Sequence, residues 1–449
     1  MIEPQQERAI TYHTVTLGTM TREGDTLAEI IEQSGDDESG EQGEQLVCIT
    51  RTVHVPAGLP GERVTIAVEA PLQPRPGKHR RHWKPRPPRI WITEIHEASP
   101  LRVATPCPVF GTCGGCQLQH MRYDAQLAWK HDVVQQLLHD VGNFHDPPLL
   151  ETVPCDVPWH YRNHMRFSVN RAGQPGLTAR GTHRVLPLTN CPIANEQMNR
   201  ALAVLSQRPN VRPQLLIRYG TATGQMLIQP NPQPEVREEL ANLGLDICTE
   251  TMEEVLSGET FRIRPSSFFQ TNTAQAEKMA DMVLHGLLNV RAKQDNHSLT
   301  VIDAYCGVGT FALLLAQHVG KVIAIEESAS AIKDAQWNQH NQHTVNTIND
   351  VEFLKGKVED LLPSLALQVD GLVIDPPRAG CQRSVLDALA QHPVERIVYV
   401  SCDPATLARD LDILCHQHAA YQLHSVQPLD MFPHTAHIEC VTVLERIQQ

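Results

Sequence analysis

The sequence has no long apolar run and no excess of positive charge. No apolar stretch reaches the roughly 18 residues that a helix needs to cross a bilayer, so we expect no membrane span. The first residues, MIEPQQERAITYHTV, lack the basic and then apolar segments of a secretory signal, and we expect a cytoplasmic protein. In that reducing compartment the 12 cysteines are candidates for metal binding, catalysis or burial rather than disulfides.

The shortage of basic residues limits how the protein can contact nucleic acid. The net charge of −13 argues against a general nucleic-acid coat, because phosphate binding needs clustered Lys and Arg. One stretch departs from this average: residues 75–89, RPGKHRRHWKPRPPR, surround Trp83 with basic side chains and contain no acid. It is either a solvated Pro-rich loop or a contact for a polyanion, and the high density of Lys and Arg favours the contact.

The pattern of apolar residues changes twice along the chain. Residues 8–98 read as short β segments separated by turns, which suggests a small OB-like barrel. Residues 99–260 read as a mixed α+β domain, with a helix over roughly 124–142 that can pack on the C-terminal domain. Residues 261–449 alternate apolar strands with helices, which predicts a Rossmann-like doubly wound sheet. We therefore predict a multidomain α/β protein.

A glycine turn in the last domain has the features of a cofactor site. The stretch DAYCGVGTF follows a strand and opens a helix, and Gly307 and Gly309 allow close approach of a ligand to the backbone. Asp303 would repel a pyrophosphate but suits a cationic or zwitterionic ligand. Glu326 ends the next strand, where a carboxylate accepts ribose hydroxyls. Together they indicate S-adenosylmethionine rather than a nicotinamide cofactor.

Two further strand ends carry reactive groups. VIDPPRAG places Asp375 before two prolines, as in methyltransferases of exocyclic amines, but Arg378 stands where those enzymes have an aromatic residue. YVSCDPATLARD places Cys402 at the next strand end. A thiolate that adds to carbon 6 of uracil makes carbon 5 nucleophilic enough to take a methyl group. Glu439 is a candidate base for the carbon 5 proton, and the amides of the helix after Cys402 are expected to lower its thiol pKa.

Four cysteines have the spacing of a metal site. Cys107, Cys113 and Cys116 form C-x5-C-x2-C in a Gly-rich loop, and Cys191 follows in NCPIA. Four thiolates can hold zinc or an iron–sulfur cubane, and the single C-x2-C pair is unusual for zinc. Two disulfides are the less favoured alternative without export.

The chain resembles the RNA 5-methyluridine methyltransferase family, most closely its ribosomal-RNA members with a TRAM domain and an iron–sulfur cluster. The matching stretches follow the family's order over nearly the whole chain: VPAGLPGERV, CPVFGTCGGCQLQHMRYDAQLAWK, NCPIA, SSFFQTN, DAYCGVGTF, DPPRAG, SCDPATLARDL and HIECV. Family members more often carry Asn at Asp403 and Leu at Ala304, and neither position is a proposed reacting group.

This resemblance implies roles for individual residues. Cys402 would be the nucleophile and Glu439 the base, and the four cysteines would hold a [4Fe–4S] cluster. The remaining positions would contact the cofactor or the target uracil: Gln270, Asp303, Tyr305, Gly307, Gly309, Glu326 and Asp375.

The resemblance also implies an RNA partner, with 23S ribosomal RNA favoured over transfer RNA. Arg162 and Arg166 in HYRNHMRF add positive charge in the central domain, where we expect contact with the RNA backbone. The target uridine must be flipped out of its stack, which is least costly in a loop. We expect a monomer. The alternatives are methylation of another base atom and a non-catalytic RNA-binding or assembly factor.

Overall fold

The chain folds into two units, one formed by Met1–Gln126 with His434–Ala436 and the other by Leu127–Pro433 with His437–Gln449. The computed structural model describes residues 9–34, 47–70, 89–208, 212–288, 296–341, 350–365 and 369–448. The basic stretch at 75–89 lies outside the described residues except for Arg89. The predicted boundaries near residues 98 and 260 remain predictions.

Five strands with alternating apolar residues form the β structure of the first unit. They are β1 (Ile10–Thr16), β2 (Thr26–Ser34), β3 (Val47–Val55), β4 (Arg63–Glu69) and β5 (Arg89–Glu97). Antiparallel sheets join β1, β4 and β5, and separately β2 and β3. Both sheets contribute to one core: Leu17, Ala28, Ile30, Val53, Val55, Val64, Ile66 and Val68. The predicted strands are present, and closure into an OB-like barrel remains a prediction.

A mixed sheet forms the middle of the chain. The elements are α1 (Tyr123–Asp140), β6 (His164–Val169), β7 (Pro175–Thr178), β8 (Val185–Pro187), α2 (Glu196–Ser206), β9 (Gln214–Tyr219), β10 (Gln225–Gln229), α3 (Pro234–Asn242), β11 (Asp246–Cys248), β12 (Met252–Leu256) and β13 (Glu259–Ile263). Six strands lie in the order β11-β10-β9-β6-β7-β8, and β12 pairs with β13. The buried apolar face of α2 includes Ala201 and Leu202, both fully buried.

The C-terminal part alternates strands with helices, as the sequence predicts. Its elements are α4 (Thr273–Leu288), β14 (Thr300–Ala304), α5 (Thr310–Leu315), β15 (Lys321–Glu326), α6 (Ala329–Asn341), β16 (Asp350–Lys355), α7 (Val358–Leu365), β17 (Gly371–Ile374), α8 (Arg383–Gln391), β18 (Arg396–Ser401), α9 (Pro404–Asp412), β19 (Tyr421–Leu429) and β20 (Glu439–Arg446). A 3₁₀ turn at Asn296–Ser298 and a π-helical turn at Ile413–Gln417 complete it.

The strands of this part form one seven-stranded sheet in the order β16-β15-β14-β17-β18-β20-β19. Only β20 runs against the others, because it pairs antiparallel with both β18 and β19. Every residue of β17 and β18 is buried, as expected for strands covered on both faces. The doubly wound Rossmann-like sheet is thus confirmed, with one reversed strand that the sequence did not reveal.

Helices cover both faces of this sheet. One core contains α4 and α5, and the other contains α7, α8, α9 and the apolar side of α1, including Val134 and Leu138. The strand order reverses at β14, whose neighbours are β15 on one side and β17 on the other. In such sheets ligands bind beyond the carboxyl ends of the strands at this reversal point.

A buried lysine holds the loop that leads from β19 into β20. The side chains of Lys130 and Asp430 are both fully buried, and the Lys130 Nζ lies 2.6 Å from Asp430 Oδ1. The same ammonium donates to the carbonyls of Phe432 at 3.2 Å and His437 at 2.8 Å. An ammonium has three hydrogens, so this set matches its full donor capacity.

Other side chains hold the same loop by its backbone. The carbonyl of Asp430 accepts a hydrogen bond from the side chain of Gln275 at 3.0 Å, and the carbonyl of Met431 accepts one from Asn272 at 3.1 Å. The carbonyl of Pro433 accepts a hydrogen bond from the hydroxyl of Tyr161 at 3.1 Å. Because Lys130 donates to the carbonyl of Phe432, each carbonyl from Asp430 to Pro433 has a side-chain donor, which restricts the backbone just before β20.

Among the helices of the described residues, none has the length and apolar character to span a bilayer.

We expect Lys130→Met to lower the free energy of unfolding by roughly 3–5 kcal/mol, because it leaves a buried carboxylate without its cation. Urea denaturation followed by tryptophan fluorescence measures the loss. The matched control is Lys321→Met, which removes a solvent-exposed pair with Glu352 and should change the free energy of unfolding far less, because water screens that pair. Equal losses in the two variants would contradict the role assigned to Lys130.

Candidate active site

The parallel strands bring several predicted residues to one edge of the sheet. Ala304 of β14 pairs with Ile374 of β17, so the residues that follow, Tyr305 and Asp375, leave the sheet side by side. β18 ends at Ser401, next to β17. The expected clustering of functional groups at the carboxyl ends of the strands is therefore present.

The turn between β14 and α5 requires its two glycines. Gly307 and Gly309 have φ angles of 57° and 86°, a left-handed region that side chains disfavour. A Cβ on Gly309 would lie 3.3 Å from atoms of both Ala335 and Phe353, which leaves little room for a side chain. A Cβ on Gly307 would meet nothing within 4 Å. That side of the turn is open for a ligand to approach the backbone.

The carboxylate of Glu326 is oriented by the same turn. The amide of Gly307 donates to its Oε2 at 3.0 Å, and the amide of Ser328 donates to its Oε1 at 2.7 Å. Each carboxylate oxygen has a second lone pair, so both remain able to accept a ribose hydroxyl. The position at the end of β15 agrees with the role that the sequence suggests.

Asp303 is the buried acid of the turn. Its side chain is fully buried, and neither carboxylate oxygen has a hydrogen-bond partner among the described residues. Burial raises its pKa well above the ordinary value, the backbone amide of Ala312 approaches closely enough to oppose that rise, and the nearby Asp375 and Glu326 carboxylates raise the pKa further. Buried acceptors without donors are costly, and a ligand with ammonium and sulfonium groups would relieve that cost. These residues therefore fit S-adenosylmethionine.

Tyr305 directly follows β14, whereas Gln270 lies in the segment between β13 and α4. Tyr305 adopts a left-handed backbone with φ of 67°, and its hydroxyl lies 3.3 Å from the carboxylate of Glu359. The carbonyl of Gln270 accepts a hydrogen bond from Asn163 at 3.1 Å, and its side chain is partly exposed. Glu359 was not anticipated from the sequence, because its partner is 54 residues away along the chain.

The reversed strand brings Cys402 and Glu439 together. Ser401 at the end of β18 pairs with Cys440 near the start of β20, in antiparallel register. The ladder ends at this pair, and Cys402 follows Ser401 while Glu439 precedes Cys440, so both stand at the same end of the ladder. The thiol is partly buried and the carboxylate is buried. The charge of Glu439 acts on Cys402, so the two residues lie close together beyond the last paired residues.

The charges at this edge raise one another's pKa values. Burial, followed by the charges of Glu439 and Asp375, raises the pKa of Cys402 to about 11, while Arg378 acts in the opposite direction. Burial and Asp375 raise the pKa of Glu439 well above its ordinary value, and Arg378 again opposes the rise. Removal of the Asp375 carboxyl from water raises its pKa to about 7. The thiol of the ligand-free protein is therefore protonated at neutral pH.

The expectation that helix amides lower the thiol pKa of Cys402 is wrong. Asp403 caps α9, and its carboxylate accepts hydrogen bonds from the amides of Ala405 at 3.0 Å and Thr406 at 3.2 Å. A carboxylate at this position neutralises the N-terminal end of the helix, which would otherwise favour a thiolate. Burial and neighbouring acids decide the pKa instead.

Arg378 is a cation that acts on Cys402 and Glu439. In the sequence it was noted only because it stands where methyltransferases of exocyclic amines have an aromatic residue. Its loop is attached to α9 through Asp410, whose Oδ2 accepts hydrogen bonds from the amide of Cys381 at 2.8 Å and the hydroxyl of Tyr399 at 2.7 Å. Gly380 has a left-handed φ of 75°, and a Cβ there would come within 2.7 Å of the same carboxylate, so the position favours glycine. Arg378 thus has a fixed loop from which it favours the anionic forms of Cys402 and Glu439.

Of the four candidate metal ligands, Cys113 and Cys191 are buried and Cys107 and Cys116 are half-buried. The amide of Gly115 donates to the sulfur of Cys113 at 3.4 Å, and Asn199 bonds both the amide and the carbonyl of Cys191. Among the described residues, no group of three or more His, Cys, Asp or Glu side chains is positioned to hold a metal ion. The structure therefore does not support the predicted cluster, and no chemical step is assigned to it.

The sequence and the fold both have known relatives. The sequence model of the family described as tRNA (Uracil-5-)-methyltransferase matches residues 241–447. An uncharacterized RNA methyltransferase of Gloeobacter violaceus is 36% identical over 406 residues, which are 79% of this chain and 85% of that protein. Another, from Halalkalibacterium halodurans, is 33% identical over 444 residues, which are 87% of this chain and 91% of that protein.

A solved structure shares the fold. The Pyrococcus abyssi tRNA (uracil-54, C5)-methyltransferase, in complex with S-adenosyl-L-homocysteine, has a TM-score of 0.67 and 22% identity, covering 96% of this chain and 99% of that chain. The sequence matches cover most of the chain. They agree with the methyltransferase-like sheet and with the residues at its carboxyl edge, which fit the cofactor. The chain belongs to the RNA (uracil-5-)-methyltransferase family and is an S-adenosylmethionine-dependent enzyme of that family.

Proposed function

We propose that the enzyme methylates a uridine of RNA at carbon 5 through a covalent bond between the base and Cys402. The observation that carries this proposal is the register of β18 and β20, which makes Cys402 and Glu439 neighbours. Both also lie within electrostatic reach of Asp375 and Arg378. This reaction requires a nucleophile, a base and a cation beside the turn that binds the cofactor.

The steps follow from these positions. The thiol of Cys402 loses its proton to solvent, and its sulfur bonds to carbon 6, which moves the electrons of the ring double bond onto the carbon 4 carbonyl as an enolate. When bound, S-adenosylmethionine would supply the methyl group to carbon 5 and leave as S-adenosylhomocysteine. Its positive charge would add to that of Arg378 in favouring the thiolate of Cys402 and the carboxylate of Glu439. Glu439 then takes the carbon 5 proton, the double bond re-forms, and the bond between sulfur and carbon 6 breaks.

We further propose that Asp303, Glu326 and the turn at Gly307 and Gly309 bind the cofactor. Their support is the orphaned Asp303 carboxylate and the open side of Gly307. Tyr305, Asp375 and Gln270 complete the proposal as contacts to the cofactor or the uracil edge; these three roles rest on family resemblance and on position at the same strand ends.

Cys402→Ala should abolish methyl transfer while S-adenosylmethionine binding, measured by calorimetry, stays within about twofold of wild type.

Glu439→Gln should slow turnover by roughly 100-fold or more, because it removes the base, and should accumulate a covalent RNA adduct visible on a denaturing gel. Cys248→Ser, on β11, is the matched cysteine control and should be fully active. Normal methylation by Cys402→Ala, or an adduct on another side chain, would contradict the mechanism.

The proposed target is a loop of 23S ribosomal RNA with a flipped uridine. Its support is the sequence resemblance to ribosomal-RNA members with an N-terminal β domain. Transfer RNA is the second candidate, favoured by the description of the matching family and by the name of the Pyrococcus abyssi enzyme. Methylation of a cytosine carbon is disfavoured because DPPRAG has no cysteine beside the acid.

Mapping 5-methyluridine in RNA from a strain that lacks this protein distinguishes the two targets. We expect one or more sites of 23S ribosomal RNA to lose the methyl group, and re-expression of the wild-type protein, but not of Cys402→Ala, to restore it. Loss from transfer RNA with unchanged ribosomal RNA would instead establish the second candidate.

We keep the [4Fe–4S] site of Cys107, Cys113, Cys116 and Cys191 as a proposal, because their spacing resembles that of the family members with an iron–sulfur cluster. Anaerobically purified protein should contain about equal amounts of iron and acid-labile sulfide and absorb visible light, and Cys113→Ser should remove both signals. Cys415→Ser is the control. Metal-free protein after anaerobic purification, or zinc in place of iron, would contradict the proposal. Cytoplasmic location and a monomeric state also remain predictions.

A further inference from the structure

Three basic residues share one face of the six-stranded sheet, and a fourth lies just before it. His164 on β6 pairs directly with Arg218 on the antiparallel strand β9, so their side chains point the same way. Arg166 lies two residues after His164 on β6 and shares its face, whereas Arg162 lies two residues before β6 begins. Each of the three arginines is close enough to lower the pKa of His164. We call these residues the arginine cluster.

The arginine cluster has no acidic partner. Among the residues that the structure describes, none of its three arginines forms an ion pair with a carboxylate. Arg218 is only 5% exposed, yet its Nε has no hydrogen-bond partner. The same holds for the buried Nε of Arg162 and Nε2 of His164. One terminal nitrogen of Arg218 donates to the carbonyl of Ser267 at 2.5 Å.

This arrangement is unfavourable in the free protein. Burial and the neighbouring positive charges lower the pKa of His164 to about 3, and burial and Arg166 lower that of Arg218 to about 10. Buried cations and unpaired donors are expensive unless a partner satisfies them. An anion placed among the four residues would supply both the opposite charge and the missing acceptors.

The arginine cluster adjoins the candidate active site. The guanidinium of Arg162 lies over the ring of Phe432, 5.8 Å from its centroid, in the loop that leads to Glu439. Arg162 also contributes to the lowered pKa of His437, two residues before Glu439. The carbonyl that Arg218 holds belongs to Ser267, three residues before Gln270. An anion bound here would lie beside the reacting base.

We propose that Arg162, His164, Arg166 and Arg218 form a phosphate-binding site for the RNA backbone next to the flipped nucleotide. The identity of the anion as an RNA phosphate rests on the proposed function; the requirement for an anion does not. Arginine suits this task because its guanidinium stays charged and donates two hydrogen bonds to one phosphate. The site would position the strand while leaving base recognition to the catalytic edge.

The test compares Arg166→Gln with Arg171→Gln, since both residues are exposed and only Arg166 belongs to the arginine cluster. Binding of fluorescent oligouridylate, measured by anisotropy at several salt concentrations, should weaken roughly 5- to 10-fold for Arg166→Gln. The slope of log Kd against log salt should fall by about 1, as for one lost phosphate contact. Arg171→Gln should behave as wild type. Equal affinity and slope for both variants would overturn the proposal.

A second measurement does not depend on mutating a buried arginine. In protein labelled with ¹⁵N-histidine, with His164→Gln used for assignment, oligouridylate should raise the pKa of His164 because bound phosphate offsets the arginine charges. No shift would overturn the proposal. A shift with inorganic phosphate alone, and none with oligouridylate, would also overturn it by making the ligand a free anion.

These results are separable from failure of the proposed function. If the salt slope and the His164 shift behave as expected but 5-fluorouridine RNA forms no adduct with Cys402, the phosphate site stands and the covalent mechanism fails. If the adduct forms and Arg166→Gln slows it only at subsaturating RNA, both stand, because a positioning contact changes KM rather than kcat.

Discussion

The antiparallel pairing of β20 with β18 is the constraint on which the candidate site depends. In a sheet with only parallel strands, the start of the last strand would lie at the opposite edge from the end of β18. Because β20 runs in reverse, its first residue, Glu439, stands at the same end of the ladder as Cys402. The loop before it is fixed by donors to four successive carbonyls and by the fully buried pair of Lys130 and Asp430. The position of the carboxylate is thus set by the strand register and then secured by packing.

Electrostatics gives this edge two regions of opposite sign. Asp303, Glu326 and Asp375 gather around the glycine turn. Burial, followed by the charges of the other two acids, raises the pKa of Asp303, and this region suits a positively charged cofactor. The arginine cluster lies beside the loop before β20 and suits a negatively charged strand. Arg378 stands near Cys402 and Glu439 and opposes the acids that hold both groups in their protonated forms. Each region contains buried groups that lack a partner in the free protein, as expected where ligands complete the structure.

The sequence predicted the elements of the fold better than their mutual contacts. Strand, turn and helix at DAYCGVGTF could be read directly, because glycines in a turn and a continuous apolar strand before them are local features. Lys130 could not be identified, since a lysine on an amphipathic helix is normally exposed and its partner is 300 residues away. The same reason applies to Arg218, which is buried opposite His164 only because β6 and β9 pair. The pKa of Cys402 was misjudged because the capping residue Asp403 already uses the helix amides.

By itself the sequence determined the residue types and their places at strand ends: an acid before the glycine turn, a thiol after β18 and a carboxylate at the start of β20. These follow from local patterns of apolar residues, glycine and proline, which act over a few positions along the chain. Only the tertiary structure decided that one strand is reversed, that Cys402 is therefore a neighbour of Glu439, and that four basic residues lie together without an acid. The reason is that pairing across a sheet joins residues far apart in the sequence, and burial then sets their charges.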